Sequence, residues 1–159
     1  SFCVRILKRH ITLLDYKPYF SIFDPADQLS QVKKVMAALG VNDKIHPAKT
    51  FQHRISNAKM LGLTPDKVQQ STGMSIMDPK SIEVYARYEV EMKKNNALDF
   101  DDLLLKTYEL LQMYPAVLEE MQNHFRFIMV DEYQDTNHIQ YLLVQKLAEK
   151  HRNLCVVGD

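Results

Sequence analysis

Two short apolar runs near the C-terminal end constrain this chain more than any other feature. Phe127-Ile128-Met129-Val130 stops at Asp131-Glu132, and Leu154-Cys155-Val156-Val157 stops at Gly158-Asp159. Between them Ile139, Leu142, Leu143 and Leu147 recur at helical spacing. A strand, a helix and a strand of these lengths make a crossover, which requires parallel strands. Unbroken apolar runs suit strands covered on both faces. In such sheets ligands collect at the carboxyl ends of the strands, and here both ends carry acids.

Upstream the pattern is helical. Residues 2–14 place Phe2, Ile6, Leu7, His10, Leu13 and Leu14 on one broad stripe. Residues 15–23, with Pro18 and several aromatics, read as a loop or a short extended stretch. Asp24-Pro25 is a helix start, with Asp as cap and Pro at the first helical position; Leu29, Val32, Met36 and Leu39 follow, and Gly40 closes the helix. Pro47 opens a segment with Phe51, Ile55 and Ala58 on one face, ending near Gly62. Thr64-Pro65 and Asp78-Pro79 start two more, the second carrying Ile82, Tyr85, Tyr88, Glu89 and Met92 to Asn95-Asn96. Asp99 caps a helix through Leu103, Leu104, Thr107, Leu110 and Leu111, and Tyr114-Pro115 begins another that runs to about His124. The expected fold is mainly α, with a small parallel α/β part.

Composition agrees with a packed globular chain: 46% of residues are hydrophobic and 25% charged. No apolar run approaches the roughly 20 residues of a membrane-spanning helix, and no secretory signal is visible, so no membrane partner and a cytoplasmic location are expected. The sequence begins at Ser1 inside a helical pattern and stops at Asp159 directly after a strand-like run, as an internal piece of a longer protein would. Cys3 and Cys155 lie at opposite ends and form neither a disulfide framework nor a zinc pattern; they read as reduced core thiols. Residues 1–60 hold ten Lys or Arg and four Asp or Glu, whereas residues 61–159 hold ten and sixteen. The basic front half could attract nucleic acid, although such charges also simply solvate helix faces.

The chemistry centres on Asp131-Glu132-Tyr133-Gln134-Asp135-Thr136-Asn137. An apolar strand ending in Asp-Glu is a Walker B arrangement. A hard cation bridging nucleotide phosphates takes a carboxylate, often through water. A second carboxylate nearby can orient and deprotonate the attacking water.

This stretch resembles motif II of the superfamily 1 DNA helicases related to UvrD, Rep and PcrA. Val156-Val157-Gly158-Asp159 resembles the opening of their motif III. Leu98-Asp99-Phe100-Asp101-Asp102-Leu103-Leu104 is similar to the segment where their chain re-enters the first motor domain. Ser1 to Leu7 looks like the helix after their Thr-Phe-His element, and Phe20 to Leu29 matches the PcrA pattern within the family. The resemblance covers essentially the whole chain. It implies a helical insertion subdomain over residues 1–97, with the end of a motor-domain helix at 1–8. Residues 98–159 would be the C-terminal part of the first RecA-like (P-loop NTPase) domain. The complete protein would hydrolyse ATP and move 3′-to-5′ on single-stranded DNA toward a duplex junction, in repair or replication. Asp131 would hold Mg2+ through water, Glu132 would be the general base, and Gln134 and Asp135 would couple the nucleotide site to its surroundings.

One departure matters. No Gly-x-x-x-x-Gly-Lys-Ser/Thr occurs in the chain, which has four glycines. The backbone N–H groups of that loop cradle phosphate and its Lys neutralises charge. These residues alone are therefore expected neither to bind ATP tightly nor to hydrolyse it. A competing reading is a non-catalytic helical module that binds other proteins and carries a degenerate Walker B motif.

For DNA contacts the candidates are Lys49, His53, Arg54 and Lys59, the first two sharing a helix face by i, i+4 spacing. The remaining histidines show no convergent ligand spacing. Tyr85, Tyr88 and Met92 read as core. Asp99, Asp101 and Asp102 suggest a metal site superficially, but acids at a helix start complement its dipole, and capping is the better reading. Strand edges at 126–131 and 153–158 are expected to favour self-association.

Overall fold

The computed structural model describes residues 2–70, 77–124, 128–131, 138–149 and 154–157, with 128–131 and 154–157 described by their backbone. Helix α1 spans Phe2–His10 and gives way to a 3-10 turn at Ile11–Leu14. The helical stripe read over residues 2–14 therefore breaks at His10. Asp15 then takes a left-handed conformation at φ 64°, its N–H donating to the Thr12 carbonyl at 3.1 Å.

Among the described residues, strand β1, Ser21–Phe23, precedes four helices: α2 (Pro25–Ala38), α3 (Ala48–Met60), α4 (Pro65–Gln70) and α5 (Pro79–Lys94). Strand β2, Ala97–Asp99, follows them and pairs with β1 in parallel, Ser21 opposite Ala97 and Phe23 opposite Asp99. The chain thus leaves and returns side by side, with α2–α5 as an excursion between. Asn96, at φ 49°, holds this crossing. Its side-chain amide donates to the Lys17 and Tyr19 carbonyls at 3.2 and 2.8 Å, and its Oδ1 accepts from Lys17 N at 2.8 Å. Asn tolerates the left-handed region and can bond to nearby backbone.

The helix starts follow their local signals. Asp24 caps α2 in a reciprocal box with Asp27, at 2.8 and 3.1 Å. Asp78 caps α5 through Ser81 N at 3.1 Å. Asp99 caps α6, Phe100–Met113, in a second reciprocal box with Asp102, at 2.8 and 3.0 Å. Each box satisfies amide groups the helix itself leaves open. Gly40 and Gly62, at φ 69° and 75°, follow α2 and α3 where the chain turns through the region glycine enters without steric cost.

Helix α7, Pro115–His124, strand β3, Ile128–Asp131, helix α8, His138–Ala148, and strand β4, Leu154–Val157, complete the described chain. β3 and β4 pair in parallel, as the crossover demands. The fold is mainly helical with a small parallel α/β part. The β1–β2 pair is the piece the periodicity did not reveal.

Two main cores result among the described residues. One joins Val32, Val35 and Met36 of α2, Phe51 and Ile55 of α3, and Val84, Tyr85, Tyr88 and Met92 of α5. The other joins Cys3 and Ile6 of α1, Leu110 and Leu111 of α6, Val117 and Met121 of α7, and Leu143 and Leu147 of α8. A smaller cluster of Leu7, Ile11, Tyr16 and Leu98 lies beside the strand crossing. α3 packs on both α6 and α8, so the two cores meet. Tyr85, Tyr88 and Met92 are core residues, and Cys3 is buried, which pushes its thiol pKa upward.

Candidate functional site

The β3–α8–β4 unit carries the acidic motif. Ile128 pairs with Leu154, Met129 with Cys155, Val130 with Val156 and Asp131 with Val157. Asp131 is thus the last residue of β3, at the carboxyl edge of the parallel pair. The intervening helix is anchored by Ile139, Leu143, Val144 and Leu147, all buried. Glu132, Gln134 and Asp135 lie outside the described residues, as does the Gly158-Asp159 end of the second motif.

Of the basic candidates, Lys49 and His53 are exposed on α3, one turn apart. Arg54 is half-buried. Its guanidinium donates to Ser81 Oγ at 2.9 Å and to Asp78 Oδ1 at 3.4 Å, which ties it to the start of α5. Lys59 overturns its expectation as a DNA contact: the side chain is 0% exposed and faces protein on every side. Its place was legible after all, since Lys59 follows Ile55 by one turn on the buried stripe of α3.

The partners of Lys59 come from three other elements. Its Nζ donates to Asp99 Oδ2 at 2.7 Å and to Asp102 Oδ1 at 2.8 Å. It also lies 2.6 Å from Glu89 Oε1, close but without hydrogen-bond alignment. The Tyr88 ring sits 5.2 Å from the ammonium, and its hydroxyl donates to Asp99 Oδ2 at 2.8 Å. Lys106 reaches Glu89 at 3.9 Å and Glu109 at 3.5 Å. Burial by itself would lower the Lys59 pKa; Asp102, Glu89 and Asp99 outweigh it and hold it well above the usual lysine range. Burial opposes the ionised Asp99 carboxyl too, but Lys59 and the capping amide keep its pKa low. Burial dominates at Asp102, whose carboxyl is pushed up to about 8.

Asp99 and Asp102 therefore do more than cap α6. Carboxylate oxygens of Glu89, Asp99 and Asp102 come within 4.8 Å of one another, a spacing that would suit a cation. The Lys59 ammonium fills that place, which argues against a metal. Nothing in the sequence marks this convergence, because the four residues lie on α3, α5, β2 and α6.

Similarity to known proteins bears on the whole chain. Residues 1–159 match the family described as UvrD/REP helicase N-terminal domain. Over its full length the chain is 43% identical to the ATP-dependent DNA helicase PcrA of Bacillus subtilis (strain 168), covering 21% of that protein. It is 42% identical to the PcrA helicase of Staphylococcus epidermidis (strain ATCC 12228 / FDA PCI 1200) and 43% identical to that of Staphylococcus aureus (strain NCTC 8325 / PS 47), covering 22% of each. The chain spans about a fifth of the length of these relatives. Among the described residues, no helix is long and apolar enough to cross a membrane.

Proposed function

The chain belongs to the UvrD/REP helicase N-terminal domain family, and from that premise we propose that it forms part of the first motor domain of an ATP-dependent 3′-to-5′ DNA helicase working in repair or replication. In this reading residues 1–97 are the helical insertion, with 1–8 closing a motor-domain helix. Residues 98–159 belong to the RecA-like domain. The observation that carries the nucleotide reading is the parallel β3–β4 pair, with Asp131 ending β3 at the edge where such sheets hold ligands.

The donor chemistry fits: a strand-end carboxylate is the oxygen ligand a hard divalent cation takes. Asp131 would hold Mg2+ through water, and Glu132 would accept the proton of the attacking water. Gln134 and Asp135 would relay the state of the site to neighbouring elements. Bound ATP with its magnesium would supply the reacting phosphoryl group and much of the charge neutralisation.

In the intact parent enzyme, Glu132→Gln is expected to leave ATP binding in place and to lower hydrolysis by about 10²–10⁴-fold, the usual range for a general base. A binding assay beside steady-state turnover separates the two; normal turnover would remove Glu132 from the role. The 159 residues alone, lacking a phosphate-cradling glycine loop, are expected to show no ATP turnover. Turnover by the clean chain that disappears on Glu132→Gln would contradict this.

The exposed Lys49 and His53, with the half-buried Arg54 beside them, would contact the DNA backbone. Their joint replacement by Ala should weaken DNA binding and flatten its salt dependence. Unchanged affinity and salt slope would exclude this face. Single-stranded DNA and the duplex junction are the partners this reading implies. The strand segments 126–131 and 153–158 would also promote self-association, which sedimentation across a concentration series would detect.

A further inference from the structure

We propose that the junction between the two helical cores is a proton-dependent lock: with Glu89, Asp99 and Asp102 gathered around Lys59, the Asp102 carboxyl keeps its proton while the junction is closed, and its loss at alkaline pH loosens α3 and α5 from β2 and α6. Three carboxyl groups converge on one ammonium at 2.6–2.8 Å. Among the described residues a further cation, Lys106, lies 3.9 Å from Glu89 and is shared with Glu109. Among the described residues, acids thus outnumber cations at this cluster.

Burial makes the imbalance costly. The Asp99 and Lys59 side chains are 0% exposed and that of Asp102 is 2%. Desolvated like charges drive one carboxyl to its neutral form. The other facing groups do not restore the balance. Tyr88, Tyr85 and Tyr16 resist ionisation because burial raises all three hydroxyls. Asp101, in the first turn of α6, is itself raised by burial, although a Ser56 hydrogen bond opposes the shift.

The position gives the proton its consequence. Lys59 comes from α3 and Glu89 from α5, both walls of the first core. Asp99 and Asp102 form the capping box of α6, the central helix of the second core. Extra negative charge here would push apart the surfaces Lys59 draws together, at the place where the chain returns from its excursion.

The sign of the pH effect follows. The unfolded chain releases the Asp102 proton near the ordinary aspartate value of 3.8, whereas the folded chain keeps it to about 8. The folded state therefore loses stability from this group as pH climbs through that interval. One proton sets the limit, about a tenfold rise in the unfolding equilibrium constant per pH unit.

The test is urea unfolding of the 159-residue chain, followed by circular dichroism from pH 6 to 9. The wild type should show a midpoint that falls from pH 6 to about 8 and then levels off. Asp102→Asn and Glu89→Gln each remove one excess charge, so each should lose most of that dependence. Glu83→Gln, at an exposed site on α5, should keep it. A flat wild-type profile, or full dependence in both cluster variants, would overturn the lock. Should the variants not fold, side-chain carboxyl NMR of the wild type decides. An Asp carboxyl that still titrates above pH 7 supports the proposal, and completion of all Asp titrations below pH 7 refutes it.

Discussion

Lys49 and Lys59 sit on the same helix, one in water and one sealed among carboxyl groups, and the difference governs what each substitution should do. Lys59→Ala strands buried acids, a change that costs about 3–5 kcal/mol. Lys49→Ala removes an exposed charge and should stay within about 0.5 kcal/mol. Urea unfolding at pH 7 measures both, and similar small effects would mean the Lys59 cluster is not formed in solution. Tyr88→Phe removes a donor to the Asp99 carboxylate and should cost about 1.5–3 kcal/mol, the range for a hydrogen bond to a charged group. Sequence reading recovered Tyr88 as core because its helical spacing is a local signal. It misassigned Lys59 because residue type outweighed position: lysine suggests a surface, whereas the step from Ile55 pointed inward.

At the scale of elements, the helix starts were legible because capping is settled within four residues. Asp24-Pro25, Asp78-Pro79 and Asp99 begin α2, α5 and α6. Asp24→Ala should cost about 1 kcal/mol as the loss of an exposed cap. Asp99→Ala should cost several-fold more, since it removes the α6 cap and a buried partner of Lys59 together. Equal costs in thermal or urea unfolding would show that Asp99 acts as a cap alone. The crossover β3–α8–β4 was also legible, since two apolar runs flanking a helix have one sensible pairing. The β1–β2 pair was not: its strands are three residues each, and the whole of α2–α5 lies between them.

For the whole molecule, the question is whether its two cores fold as one unit. Phe51 is buried in the α2–α5 core and Leu111 in the α1–α6–α7–α8 core. Phe51→Ala should cost about 3–5 kcal/mol and Leu111→Ala about 2–5 kcal/mol. With α3 packed on α6 and α8, and the Lys59 cluster joining them, each substitution should shift a single cooperative transition at pH 7. Two separate steps would show that the cores unfold independently. The sequence by itself determined the helices, their caps, the parallel crossover and the family, because each rests on spacing or on a contiguous motif. Tertiary structure alone decided that the chain leaves and returns on paired strands, and that a lysine and three acids from four elements meet out of water. Those contacts join residues far apart along the chain, and burial, which sets their charge state, exists only once the helices have packed.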